Sequence, residues 1–229
     1  MPTPRGPTVR VCARGSLACF TRPELKVERV SYPVMTPSAA RGVLEAVLWK
    51  PAIRWQVERI QVLNEIRFTA FRRNEVNNKA VAPKAEIIEN GGAAPLFFAD
   101  EDRSQRNTVA LRDVAYVIEA HFVLTPKAGP EDNLNKFAEM FQRRLEKGQH
   151  FHQPYLGCRE FPADVSPANG ATPIADTRDL GLMLWDIVHE PKGKRAVFFH
   201  AKLANGIMEA PPDEPAALAT LRNAKGGVA

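Results

Sequence analysis

The chain has 229 residues, 45% hydrophobic and 25% charged, a balance that excludes a disordered or fibrous protein and provides for a buried core. Its 31 Lys and Arg outnumber 26 Asp and Glu, giving a net charge of +5 and a pI of 9.2, which favours polyanionic partners. No apolar run reaches the roughly 20 residues of a membrane span, MPTPRGPTVR lacks the apolar core of a signal peptide, and Cys12, Cys19 and Cys158 show no C-x-x-C spacing; the expectation is a cytoplasmic protein with no membrane association, disulfide framework, metal site or cofactor.

The first predicted element is a strand in TVRVCARGS, where Val9, Val11 and Ala13 alternate with Arg10, Cys12 and Arg14. After an extended KVERVSY segment, Thr36 is the N-cap of a helix with Pro37 at its first position, where the missing N–H costs nothing, and Pro51 is its stop. Ala40, Val43, Leu44 and Val47 recur at helical spacing as its core face, with Arg41 and Glu45 opposite. A half-buried strand follows from Ile53 to Leu63, with Ile53, Trp55 and Val57 inward, and then the hairpin-like IRFTAFRRNEV. Residues 74–107 show little periodicity and are expected to form a long loop, either solvated or ordered on a phosphate backbone through Lys79, Lys84, Arg103 and Arg106.

LRDVAYVIEAHFVL reads as a strong strand with Val114, Tyr116, Ile118, Ala120 and Phe122 on one face. Gly129-Pro130 is expected to open a second helix ending at Gly148. Leu134, Phe137, Ala138, Phe141 and Leu145 form its buried stripe, and at about 100° per residue Lys136, Arg143 and Lys147 fall together on the other side. Short strands separated by Pro, Gly and Asn follow His150. The order strand, helix, strand, strand, helix, strand is that of ferredoxin-like, RNA-recognition-like domains. The expected fold class is therefore α+β: a ferredoxin-like RNA-binding domain over 1–165 with an inserted hairpin and the loop 74–107, a small C-terminal antiparallel β-sheet over 166–212, and a flexible tail over 213–229.

The combination of FTRPELKVERVSYPVMTPSAARGVLEAVLWKPAIRW, FRRNEV, YVIEAHFVLT and QPYLGCREFPA spans nearly the whole chain and resembles the CRISPR-associated Cas five proteins of the dvulg subtype, found in type I-C systems. The resemblance implies an endoribonuclease that cuts the CRISPR precursor transcript in the repeat hairpin by metal-independent attack of a ribose 2′-OH on the adjacent phosphate. It also implies a subunit that keeps the 5′ handle and joins the interference complex with a backbone protein and a large subunit. The alternative is a noncatalytic subunit that binds RNA or duplex DNA.

Such a reaction needs a base, an acid and a cation over the phosphate. Family members place an aromatic or imidazole group just before Trp-Lys-Pro and a Lys-His pair early in the second helix. Here Leu48 precedes Trp49-Lys50-Pro51, and the pair reads Lys136-Phe137. Lys136 is the candidate phosphate-stabilising cation, and His150 and His152, flanking Phe151, are the stand-ins for the missing imidazole, sharing a face if that segment is a strand. The resemblance places Arg22, Lys26, Arg41, Lys50, Arg72, Arg73 and Arg159 against the RNA, with Asn74 as a base reader. Arg143 and Lys147 extend the basic helix face, and Tyr32, Trp49 and Tyr155 are candidate stacking residues.

Overall fold

The computed structural model describes residues 4–25, 27–92, 96–191 and 193–225. In chain order the elements are β1 (Val9–Ala18), β2 (Arg29–Val30), α1 (Pro37–Val47), β3 (Ile53–Val62), β4 (Phe68–Val76), α2 (Ala85–Glu89), β5 (Arg103–Leu124), α3 (Leu134–Glu146), β6 (Asp164–Pro167), β7 (Arg178–Glu190), β8 (Gly193–Leu203), β9 (Ile207–Glu209) and α4 (Glu214–Lys225). The result is a mixed α/β fold whose sheets are mostly antiparallel. No described helix is long and apolar enough to cross a membrane.

Local chemistry sets the helix boundaries. The Thr36 hydroxyl accepts from the Ala39 amide at 3.3 Å, and Ala40, Val43, Leu44 and Val47 are buried. The helix α1 ends before Pro51, because Leu48 turns extended with its side chain in the core and its carbonyl accepting from Trp55 Nε1 at 3.0 Å. Similarly, α3 begins not at Gly129-Pro130 but after Asn133, whose side chain accepts from the Lys136 amide at 2.9 Å.

The long strand β5 is the spine of the sheet. Its second half lies between β1 and β3, and β1 pairs on its other side with β6, all antiparallel; the path reads β6-β1-β5-β3, with β9 beyond β3. The first half pairs with β4, from Phe68 opposite Leu111 to Val76 opposite Arg103, and in parallel with β2. Between the halves Asp113 adopts a φ of 53°, a left-handed conformation that Asp tolerates, while Asn64 donates to its carbonyl at 2.7 Å. Helices α1 and α3 meet the sheet through Trp55, whose ring centre lies 5.1 Å from Phe122 of β5 and 4.7 Å from Phe141 of α3.

Three expectations need correction. Residues 74–107 are not one loop: β4 takes the first of them and β5 the last, and Ala85–Glu89 is helical. Both faces of this arm are largely exposed, so its strands carry no apolar alternation. Residues 166–212 do not form one unit: β7 and β8 make the expected small antiparallel sheet, of two strands, while β9 joins the main sheet. The tail expected to be frayed contains α4, which packs on β8: Ala217 is buried, the His200 amide donates to Thr220 Oγ1 at 2.8 Å, and Arg195 pairs with Glu214 at 2.9 Å.

Close approach requires glycine at Gly157, as it does at Gly206. Gly157 has a φ of +83°, and a Cβ there would lie 2.1 Å from the carbonyl oxygen of Cys19. The expected outcome for Gly157→Ala is a loss of about 3 kcal/mol of stability, the overpacking and the left-handed backbone acting together, read as a lower denaturation midpoint at unchanged slope.

Candidate nucleic-acid interface

The turn that leaves α1 lies against the connection from β5 to α3. Thr125 Oγ1 donates to the Pro51 carbonyl at 2.6 Å and the Thr125 amide to that of Ala52 at 2.9 Å. This brings Lys50 to the first turn of α3, where Lys136 Nζ stands 3.0 Å from Asp132 Oδ1. The Asp132 carboxyl is held below the usual carboxylate range, first by the Gly129 amide, then by Lys136, with Lys50 adding to both. Asp132 is therefore an ionised counter-charge shared by two lysines at neutral pH, not a proton donor.

The two positions where the resemblance leads one to expect proton-transfer groups are core positions in this chain. Leu48 is fully buried and Phe137 nearly so, in edge contact with Phe122 at 6.5 Å. Trp49, between Leu48 and Lys50, is 59% exposed.

His150 and His152 lie past the opposite end of α3. Ten residues of helix at about 1.5 Å per residue put about 15 Å between Lys136 and Glu146, and the two histidines lie past that end, so the structure does not bring Lys136, His150 and His152 together around one phosphate. Nor is their segment a strand. His152 stacks on Tyr155 with ring centres 6.1 Å apart, and His150 lines a cleft with Arg144, Gln153 and Asp164.

Between the two histidines Phe151 is 80% exposed, although its backbone is firmly anchored. Its amide donates to the Ala46 carbonyl at 2.7 Å and Arg144 Nη1 to that of Val47 at 2.8 Å, which satisfies two carbonyls at the end of α1. Trp49 and Phe151 are thus two solvent-exposed aromatics at the same helix terminus. Arg143 and Lys147, both exposed, continue the Lys136 face of α3 towards that end.

The other predicted contacts lie elsewhere. Arg72 and Asn74 are exposed on β4 opposite Asn107 and Gln105. From Asn107 to Leu124, at about 3.3 Å per residue, is roughly 55 Å of strand, so Lys50, Arg72, Lys136 and Arg143 do not converge on one grip. Arg73 is engaged by Glu160 and by Glu75, the latter at 2.8 Å. Arg41 is held by Asp186 and lies 3.5 Å from Glu45, on a cleft of about 370 Å³ whose Asp186, Asp213 and Glu214 oppose an anion. Tyr32 is 1% exposed beneath the Arg22 guanidinium, 4.8 Å from its ring centre, so it cannot stack on a base. Arg159 is exposed, and Lys26 lies outside the described residues. On the sheet, Arg5 pairs with Glu58 and Arg10 with Glu119, so these cations already have counter-charges.

Sequence reasoning missed Phe151 and Asp132. Asp132 was detectable as an i, i+4 partner of Lys136, whereas nothing local distinguishes an exposed phenylalanine from a buried one.

Known proteins bear on this geometry. A family model described as CRISPR-associated protein (Cas_Cas5), of the Cas5d type, matches residues 8–216. The chain is 49% identical over 214 residues to the CRISPR pre-crRNA endoribonuclease Cas5d of Mannheimia succiniciproducens, covering 89% of this chain and 95% of that protein. It is 46% identical over 225 residues to the CRISPR pre-crRNA endoribonuclease Cas5d of Thermus thermophilus, covering 90% and 92%. Among solved structures, a CRISPR-associated protein superposes with a TM-score of 0.67 at 21% identity over 91% of this chain and 94% of its own. A functionally uncharacterized protein from Streptococcus mutans gives 0.67 at 19% identity over 92% and 95%.

Proposed function

The chain belongs to the CRISPR-associated Cas5 family, and from that premise we propose that it is an endoribonuclease that cleaves CRISPR precursor RNA in the repeat hairpin. The observation in the fold that supports this is the row of cations and exposed aromatics along α3, from Lys136 at its first turn, past the neighbouring Lys50 and Trp49, to Phe151 at the terminus of α1. A row about 15 Å long accommodates two or three nucleotides, with phosphates on the cations and bases against the rings.

In this reading the scissile phosphate displaces Asp132 from Lys136, and Lys136 Nζ donates to a non-bridging oxygen as negative charge builds there. The adjacent 2′-OH attacks the phosphorus, the bond to the 5′-oxygen breaks, and the products are a 2′,3′-cyclic phosphate and a 5′-OH. Because Leu48 and Phe137 are core residues, the proton transfers fall to other groups or to water. His150 and His152 remain candidates only for a phosphate at the Phe151 end of the row.

Residues 4–167 are read as a ferredoxin-like core, a reading supported by the β6-β1-β5-β3 path and by α1 and α3 following β1 and β5. The β4–β5 arm, with Arg72, Asn74 and Arg103 exposed, is the proposed surface for the 5′ handle, for duplex DNA, or for the backbone and large subunits of the type I-C interference complex.

Excess chain and end-labelled repeat RNA in EDTA test the cleavage. The expected outcome is a cut at a single position at the base of the hairpin, leaving a cyclic phosphate. Strict dependence on an added divalent ion would contradict the 2′-OH mechanism, and tight binding without any cut would favour the noncatalytic subunit.

A further inference from the structure

Two cysteines face one hydroxyl at the root of the β4–β5 arm. The turn carrying Gly157 and Cys158 is pressed onto the end of β1, with the Cys19 amide donating to the Leu156 carbonyl at 3.0 Å. Thr21 Oγ1 thereby lies 3.6 Å from the Cys19 sulfur and 3.7 Å from that of Cys158. Arg29 of β2 brings Nη1 to 3.5 Å from the Cys158 sulfur, while Glu75 and Glu160 flank its guanidinium at 3.2 and 2.9 Å and Arg73 holds both acids from β4. Cys158 is half-buried and reachable, whereas Cys19 is sealed from solvent.

These contacts have a polarity. The Cys19 thiol can donate to Thr21, the Thr21 hydroxyl can donate to Cys158, and Arg29 places positive charge on the same sulfur. Hydrogen bonding from Cys19, then from Thr21 and Arg29, holds the Cys158 thiol below its ordinary range against its burial and Glu160. The partner Cys19 is pushed up by Cys158 and by burial, and stays protonated. Cys158 is thus the half-buried sulfur whose ionisation its neighbours favour, although it also faces the Cys19 carbonyl at 3.5 Å, and Cys19 is the sealed thiol beside it.

We propose that Cys158 is an oxidisable thiol whose reaction with a hydroperoxide is resolved by Cys19, making the pair a reversible dithiol–disulfide site. In the first step the Cys158 sulfur attacks one peroxide oxygen, the O–O bond breaks, the departing oxygen takes a proton from solvent, and Cys158 becomes a sulfenic acid. In the second, the Cys19 sulfur attacks the Cys158 sulfur, its proton passes through Thr21 to the leaving hydroxyl, and water departs as the S–S bond forms. Two electrons move from the thiols to the peroxide, and a thiol reductant returns them. The segments are already joined by the Cys19–Leu156 hydrogen bond, so only side-chain rotation and a local adjustment are needed.

The test uses the full reduced chain, stoichiometric hydrogen peroxide, alkylation of the remaining thiols and peptide mass mapping. A Cys19–Cys158 cross-linked peptide is expected, reversed by dithiothreitol, with Cys12, 4% exposed, still carrying the alkyl label. In Cys19→Ser, dimedone is expected to trap the sulfenic acid at Cys158, and Arg29→Gln is expected to slow its formation about tenfold through loss of thiolate. Oxidation of Cys12 as fast as Cys158 would overturn the proposal. So would dimedone-reactive Cys158 that persists in the parent chain without the cross-link.

Discussion

Lys136→Ala is expected to slow single-turnover cleavage of repeat RNA by about 100-fold or more, the usual cost of removing one preorganised donor to a developing oxyanion. Affinity is expected to change by no more than about threefold, because each phosphate contact is one of several in a polyanion interface. The separation follows from where the residue stands. Its side chain is 44% exposed, pairing with Asp132 and donating more distantly to the Glu131 carbonyl at 3.5 Å, and the helix it opens is capped by Asn133 through the Lys136 backbone, which alanine retains. Folding is therefore preserved, and the loss reads on the transition state. Cleavage at the parental rate would reduce Lys136 to a surface charge and move the chemistry to another part of the row.

Trp49→Ala and Phe151→Ala are each expected to weaken repeat RNA binding by about 1–3 kcal/mol, the worth of one base–aromatic stack. Exposed large apolar rings raise no stability on folding, so melting temperatures should hold steady while affinity falls. Phe151 makes the cleaner case, because its amide is pinned to Ala46 at 2.7 Å and truncating its ring leaves that hydrogen bond in place. A base meeting it would find a surface already oriented, at low entropic cost. If both variants bind RNA as the parent does while losing stability, the rings pack against the protein and not against bases.

Much of the fold was legible because it is local. The cap at Thr36, Pro37 and the 3.6-residue stripe of Ala40, Val43, Leu44 and Val47 specify α1, and the same period puts Phe137, Phe141 and Leu145 in the core face of α3. The alternation of Ile53, Trp55 and Val57 does the same for β3. The arm and α4 were missed because they bury few side chains, and β9 because three residues carry no period. The site was legible in part. Lys50 and Lys136 are 86 positions apart in sequence, and both reach the field of Asp132 where Thr125 ties the two turns together. Tyr32 and Arg41 looked like RNA contacts by type and position, but burial removes one and Asp186 engages the other. The family resemblance carried the function itself, which no pattern of caps or stripes contains.

Ultraviolet crosslinking of repeat RNA to the full chain, followed by mass mapping of the modified peptides, tests the central claim most directly. If RNA lies along α3 between Lys136 and the end of α1, adducts fall on the peptides carrying Trp49 and Phe151. Adducts confined to the β4–β5 arm around Arg72 and Asn74, with none at the α1–α3 end, would contradict it.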